Sequence, residues 1–142
     1  MQMVAYTDAD EHEAARQRAE EATRLLEEYE TRIDVGDPKQ RDSYHILCDN
    51  VASPLADRGY ADLAIRLFPR VLATGGGASG WAHVRYAACL WQTKGDREQV
   101  LELLHRGAPR ELGDGLLSFF RSRPAFADVK DDPEFAAALT IS

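Results

Sequence analysis

The sequence predicts an all-α fold built from short helices. Apolar residues recur at intervals of three and four along most of its 142 residues, which is the spacing of one helix face. Glycine and proline interrupt this pattern between candidate helices and predict short connections. No segment has the alternation of apolar and polar residues that is typical of a β-strand. We therefore expect about seven helices and little or no sheet.

Composition indicates one folded domain over residues 1–142. The mass of 15.8 kDa suits a single domain, and 44% hydrophobic with 29% charged residues argues against disorder. No apolar run approaches the roughly 20 residues that cross a membrane, and the first residues do not resemble a signal peptide. Two cysteines, Cys48 and Cys89, are too few for a disulfide scaffold or a four-cysteine metal site. We expect a cytoplasmic protein that has no membrane partner.

The first element is predicted to be a long acidic helix over residues 8–35. Thr7 or Asp8 can cap it, because a short side-chain oxygen accepts a free N–H of the first turn. Gly36-Asp37-Pro38 is predicted to end it, since proline cannot continue a helix. Its apolar stripe, with Leu25 beside it, consists of Ala15, Ala19, Ala22, Leu26, Tyr29 and Ile33.

Two hairpins are predicted over residues 39–107. The first joins a helix at about 39–57 to one at about 60–73, and the second joins helices at about 81–94 and 97–107. The stripe of the first of these helices is Tyr44, Leu47, Cys48, Val51, Ala52 and Leu55.

Prolines and loop residues should shape these hairpins. Pro54 should kink the first helix or break it at Ser53, and Pro69 lies inside the second. The glycine-rich residues 74–80 form a loop, in which Ser79 can cap the next helix.

Residues 108–142 are predicted to contain the C-terminal capping helices. One runs at about 111–121, and the last begins at Asp131-Asp132-Pro133-Glu134 and continues through Leu139. Proline is suited to the first turn of a helix, because its missing N–H would have no partner there. The whole chain is thus a long first helix, two hairpins and a helical cap.

An internal repeat with an offset of 36 residues relates the two hairpins. Aligning Gly59 with Gly95 matches small and large apolar positions on both sides of the turn. The matched pairs are Ala52 with Ala88, Leu55 with Trp91, Ala64 with Val100, and Phe68 with Leu104. Small residues permit close packing of helices, so we expect the large residues Phe68 and Trp91 to be buried between hairpins.

These residues resemble the tetratricopeptide repeat, a right-handed helical hairpin repeat with a usual period of 34. Residues 54–68 are similar to its turn and second helix, and residues 126–135 resemble the closing segment of many bacterial members. Pro54, Pro69, Val100 and Gly107 depart from the usual pattern. The resemblance implies binding of peptides or protein surfaces, usually without catalysis.

If the repeat register holds, the first helices line a binding groove. The residues expected to face it are Asp49, Ser53, Asp57, Arg85, Cys89 and Gln92. This set lacks the cluster of lysine or arginine that would grip a phosphate or a terminal carboxylate. Solvated polar residues without a ligand are the alternative interpretation.

The entire net charge of −7 comes from residues 1–38, which hold eleven acidic and four basic residues. Residues 39–142 hold thirteen of each. Nucleic acid is therefore not an expected partner, because phosphate binding needs a basic surface. A basic protein is compatible, and the candidate contact residues are Glu20, Glu21, Glu27 and Glu28. As exposed charges, Glu20 and Glu27 should tolerate replacement by lysine without loss of stability. A solvated helix face is the alternative.

No motif for catalysis, a cofactor or a metal stands out. Residues 75–80 satisfy G-x-G-x-x-G, but a helix rather than a strand is predicted before them, so we interpret them as a linker. The four histidines form no HExxH motif and no pair at helical spacing. Cys48 is interpreted as core packing, and Cys89 as nearer the groove.

The sequence therefore favours a non-catalytic protein-binding helical module. A bacterial immunity protein that neutralises a toxin is slightly preferred over a secretion chaperone or adaptor, because acidic surfaces speed the capture of basic partners. A fragment or subunit of a larger repeat array and an enzyme of unrecognised type remain alternatives. The partner and the oligomeric state stay open.

Overall fold

A computed structural model describes residues 8–34, 36–73, 79–110 and 115–140. Within these ranges the chain is helical, with short 3-10 helices at Ala108–Arg110 and Pro124–Phe126 and no strand. The predicted all-α class and the number of helices are confirmed. The seven α-helices of the described residues are α1 (Asp8–Glu30), α2 (Pro38–Asp57), α3 (Ala61–Ala73), α4 (Gly80–Thr93), α5 (Arg97–Gly107), α6 (Gly115–Ser122) and α7 (Pro133–Ala138).

Short polar side chains begin four of these helices. Asp37, Ser79, Asp96 and Asp132 each accept a hydrogen bond from a backbone N–H of the first turn, at 2.9 to 3.2 Å. Such caps satisfy donors that have no partner within the helix. The predicted caps at Ser79 and Asp132 are confirmed, and proline follows Asp37 and Asp132 directly.

Consecutive helices pack as two hairpins. Helix α2 packs against α3, α4 packs against α5, and α3 also packs against α4. Gly59 and Gly95 follow α2 and α4 with φ of +88° and +63°, a region that L side chains rarely adopt. Among the pairs related by 36 residues, all are buried except Trp91, which is half-buried. Membership of the tetratricopeptide family stays a prediction.

Helix α1 ends at Glu30, five residues before the predicted end. The N–H groups of Thr31 and Arg32 bond to the carbonyls three residues earlier, at 3.1 and 2.9 Å, and the Thr31 hydroxyl also bonds to the Glu28 carbonyl. These contacts close the last turn before Gly36 is reached. The expectation that Gly36-Asp37-Pro38 ends the helix was therefore wrong. The predicted cap at Thr7 and the end at Val35 lie outside the described residues.

Neither internal proline interrupts its helix. Pro54 lies in the last turn of α2, and its carbonyl still accepts a bond from the Arg58 N–H at 3.0 Å. The expected break at Ser53 is absent, because α2 continues through Ser53 and Pro54 to Asp57; the alternative, a kink at Pro54, stays a prediction. Pro69 is likewise contained within α3.

The core consists of two clusters that share α4 as a wall. The first cluster joins α1, α2 and α3, with Tyr44 and Phe68 fully buried. The second joins α4 to the C-terminal helices, and its side chains include Phe120, Phe126 and Phe135. Ile65, Leu72 and Tyr86 contact both clusters.

An aromatic cluster holds the C-terminal segment against the second hairpin. The rings of Phe120, Phe126 and Phe135 lie 4.6 to 6.2 Å apart, within the range of favourable aromatic contacts. Arg97 binds Asp132 and Glu134 at 2.8 Å each and lies over the Phe135 ring. Helix α6 begins at Gly115, and the predicted start at residue 111 lies outside the described residues.

We predict that Phe135→Ala lowers the free energy of unfolding by about 3–5 kcal/mol, because Phe135 is fully buried. Trp91→Ala should cost less. Trp91 is half-buried, with its ring edge-on to Phe135 at 5.6 Å. Urea denaturation of both variants checks this order. An equal or larger loss of unfolding free energy for Trp91→Ala would contradict the greater contribution that we assign to Phe135.

Candidate protein-binding surfaces

The acidic side chains of α1 divide between an inner edge and an outer face. On the inner edge, Glu27 contacts Arg66 and Arg70 of α3, and Glu30 contacts Arg70. In a further ion pair the charges are exchanged between the helices, since Arg16 of α1 contacts Asp62 of α3. These ion pairs attach α1 to α3. Two of the acidic residues in the first quarter of the chain, Glu27 and Glu30, therefore bind arginines of the same chain.

The hydroxyl of Tyr44 on α2 adds a hydrogen bond to the contacts that hold α1. The Tyr44 side chain is buried and donates to the Leu26 carbonyl at 3.0 Å, and the Glu30 carboxylate lies at the same distance from its oxygen. Burial raises the pKa of Tyr44, so the phenol stays protonated. The Arg70 guanidinium lowers the pKa of Glu30, with a further contribution from Tyr44, against the effect of burial.

Glu20, Glu21 and Glu28 occupy the outer face of α1. Glu20 pairs with Arg16 at 3.0 Å, and Glu28 pairs with Arg24 at 2.7 Å, both exposed. Glu21 lies 4.0 Å from Arg24. Three of the four predicted contact residues are thus exposed, and Glu27 is not free. Because Glu27 contacts two arginines of α3, it is not the free exposed charge that was expected, and Glu27→Lys is now expected to destabilise the fold.

Three of the predicted groove residues line one small pocket of about 130 Å³. These are Asp57 at the end of α2 and Arg85 and Gln92 on α4. Arg123, which follows α6, lines the same pocket. The Asp57 carboxylate accepts bonds from Arg85 at 3.1 and 3.4 Å and from Arg123 at 3.0 Å. One carboxylate therefore joins α2, α4 and the C-terminal segment.

An aromatic ring organises the two arginines. The guanidinium carbons of Arg85 and Arg123 lie 5.0 and 4.3 Å from the centre of the Phe119 ring, and Phe119 packs edge-on to Trp81 at 4.8 Å. Guanidinium groups are attracted to the faces of aromatic rings. The predicted groove residues hold one arginine, Arg85, and Arg123 adds a second beside it; both are bound to Asp57. Arg123 is 38 positions from Arg85, and no local pattern marks it.

The other groove residues lie elsewhere. The Ser53 hydroxyl donates to the Asp49 carboxylate at 2.8 Å, one turn away on α2. Cys89 is buried in the first core cluster, so its expected position near the groove was wrong. Burial, assisted by the Asp57 charge, raises the pKa of Cys89 to about 12. Cys48 is fully buried, as interpreted from the sequence.

A second groove, missed by the sequence analysis, runs between α1 and α2. It encloses about 400 Å³ and is lined largely by small or apolar residues, among them Ala15, Ala22, Val51 and Pro54. The exposed large hydrophobic residues of the described chain are confined to the same two helices. They are Leu25 (50% exposed), Tyr29 (42%), Ile46 (57%) and Leu47 (42%).

Across the described ranges, no three His, Cys, Asp or Glu side chains are grouped to hold a metal ion. Residues 75–78 of the glycine motif lie outside those ranges, and within them no helix is long and apolar enough to cross a membrane. Comparison with known proteins found no matching family model, curated protein or solved structure.

The attachment of α1 should weaken at acidic pH. The folded-state pKa of Glu30 lies below the unfolded value of about 4.3, so its ion pair stabilises the fold above that pH. This contribution is lost as pH falls through the folded pKa. Glu30→Gln should therefore destabilise the protein at pH 7, and the difference from wild type should shrink as the pH is lowered from 7 toward 3. Urea denaturation across this range tests it, with exposed Glu28→Gln as control. A pH-independent difference between Glu30→Gln and wild type would contradict the assignment.

Both cysteines should be inert in the folded protein. The thiolate is the reactive form, and a pKa near 12 makes it scarce at pH 8. We expect iodoacetamide to modify Cys89 at least about 1000-fold more slowly than a free thiol. Cys48, whose pKa is also raised by burial, should behave similarly. Mass spectrometry with and without urea measures this. Rapid modification of the folded protein would show that Cys89 is accessible.

Proposed function

We propose that this chain is a non-catalytic protein-binding helical module, and that α1 and α2 form its interaction surface. One observation carries the proposal: the four exposed large hydrophobic side chains of the described residues all belong to these two helices. Exposed apolar surface on adjacent helices is typical of an interaction site, because a partner would remove it from water. The resemblance to helical hairpin repeats supports the same class of function.

The exposed acids of α1 favour a basic protein as partner. Glu20, Glu21 and Glu28 are about half exposed or more, and the chain carries a net charge of −7. Electrostatic attraction of this kind speeds encounter more than it slows dissociation. Within this class we favour neutralisation of a basic toxin in the cytoplasm. A secretion chaperone or an adaptor would use the same surface.

The partner can be sought by chemical crosslinking and affinity purification, followed by stopped-flow measurement with the purified partner. We expect the association rate to fall as salt is raised, because screening weakens attraction between exposed charges. Glu20→Lys combined with Glu21→Lys should slow association at low salt by about tenfold and leave the melting temperature nearly unchanged.

Glu98→Lys combined with Glu102→Lys, both exposed on α5, is the matched control. Equal slowing by both pairs would indicate a net-charge effect without a contact on α1. A salt-independent rate would identify the acidic face as a solvated surface. If no protein is captured at all, the proposed function fails.

A further inference from the structure

The groove between α1 and α2 has a hollow end and a protruding end. Alanines make the hollow: Ala15 and Ala22 of α1 face Pro54 of α2 across it. At helical spacing beyond Ala22 come Leu25 and Tyr29, and Leu47 precedes Val51 by one turn of α2. These larger side chains are exposed, so they protrude beside the hollow.

The two ends also differ in charge. Among the described residues, the hollow is lined by Arg18 and Arg58 and by no acidic side chain. At the protruding end, Glu21 and Glu28 flank Leu25 on α1 and share the single positive charge of Arg24. The lining of the hollow is thus positively charged, whereas the α1 surface beside Leu25 carries Glu21 and Glu28 against one arginine, Arg24.

We propose that the groove is occupied by a second copy of this chain, in an antiparallel arrangement about a two-fold axis near Ala22. The proposal rests on the part of the proposed function that makes α1 and α2 the interaction surface. Here a second copy takes the place of the basic protein on this surface, and the tests below separate the two occupants. Rotation by a half turn places Leu25, Tyr29 and Leu47 of each copy over the alanine hollow of the other. It also brings Arg18 and Arg58 toward Glu21 and Glu28 of the second copy.

This arrangement satisfies the requirement of a two-fold interface, in which one patch must be complementary to itself. A parallel arrangement would oppose hollow to hollow and arginine to arginine. The four helices of the dimer would form a bundle in which the protruding side chains fill space that the alanines leave open. A different protein would not have to present a protruding surface to the hollow and a hollow to the protruding end at the same time.

The first test is sedimentation equilibrium over a range of protein concentrations. The wild-type chain should form a dimer, and Leu25→Ser with Leu47→Ser should weaken dimerisation at least about tenfold. Gln99→Ser with His105→Ser on α5, likewise exposed, should leave it unchanged. A wild-type monomer at every concentration, or a dimer insensitive to the first pair, would overturn the proposal.

A charge exchange tests complementarity. Chains carrying Arg18→Glu and Arg58→Glu should not dimerise with themselves, and neither should chains carrying Glu21→Arg and Glu28→Arg. Mixed together they should form a heterodimer, because each altered end then meets an opposite charge. Failure of the mixture to associate would exclude the proposed pairing of ends.

Crosslinking tests the register. A chain with Ala15→Cys mixed with one carrying Tyr29→Cys should be joined by a short bismaleimide, whereas either variant alone should not, since these positions lie roughly 21 Å apart along α1. The native cysteines are buried and should not interfere. Crosslinks within the Ala15→Cys variant alone would indicate a parallel dimer and overturn the proposal. A monomeric chain that still binds a different protein through Leu25 and Leu47 would overturn the dimer and leave the proposed function intact.

Discussion

The ion pairs between α1 and α3 are the interaction on which the candidate surfaces depend. On the face that α1 turns toward the core, the buried residues are small, Ala19 and Thr23, and Leu26 packs there partly buried. Glu27, Glu30 and the buried Tyr44 hydroxyl supply contacts that such a face cannot. Together with the apolar contacts of Leu26 and Ile33, they position α1 over α3 and beside α2, where the groove forms.

The alanines of α1 thus leave a hollow between α1 and α2 where larger side chains would have filled the space. Leu25 and Tyr29, farther along the same face, then stand out from it. The Asp57 contacts act at the other side of α2, where one carboxylate holds two arginines that lie on Phe119. The C-terminal segment therefore contacts one side of α2, whereas the side next to α1 borders the groove.

Local signals in the sequence were sufficient for much of the fold. Ser79 and Asp132 begin helices because their side chains bond to the next free N–H groups, and Gly59 and Gly95 turn the chain because they accept positive φ. Surfaces were harder to predict. Leu47 was assigned to the buried stripe of its helix, yet it is 42% exposed. A spacing of three and four identifies one face of a helix, but it does not determine how much of that face the neighbouring helices cover. Arg123 reaches Asp57 across 66 positions, a contact that only the folded chain creates.

The division of the core into two clusters bears on how the protein opens locally. Among the described residues, α4, half-buried side chains such as Ile65 and Tyr86, and the Asp57 ion pairs connect the clusters, while the aromatic contacts belong mainly to the second. Cooperative units of this kind exchange their amide hydrogens at different rates. Helix α1 should exchange fastest, and a bound partner on α1 and α2 would slow that exchange. The free energy of binding could then be measured from the slowed amide exchange of α1 and α2 as well as from the association itself.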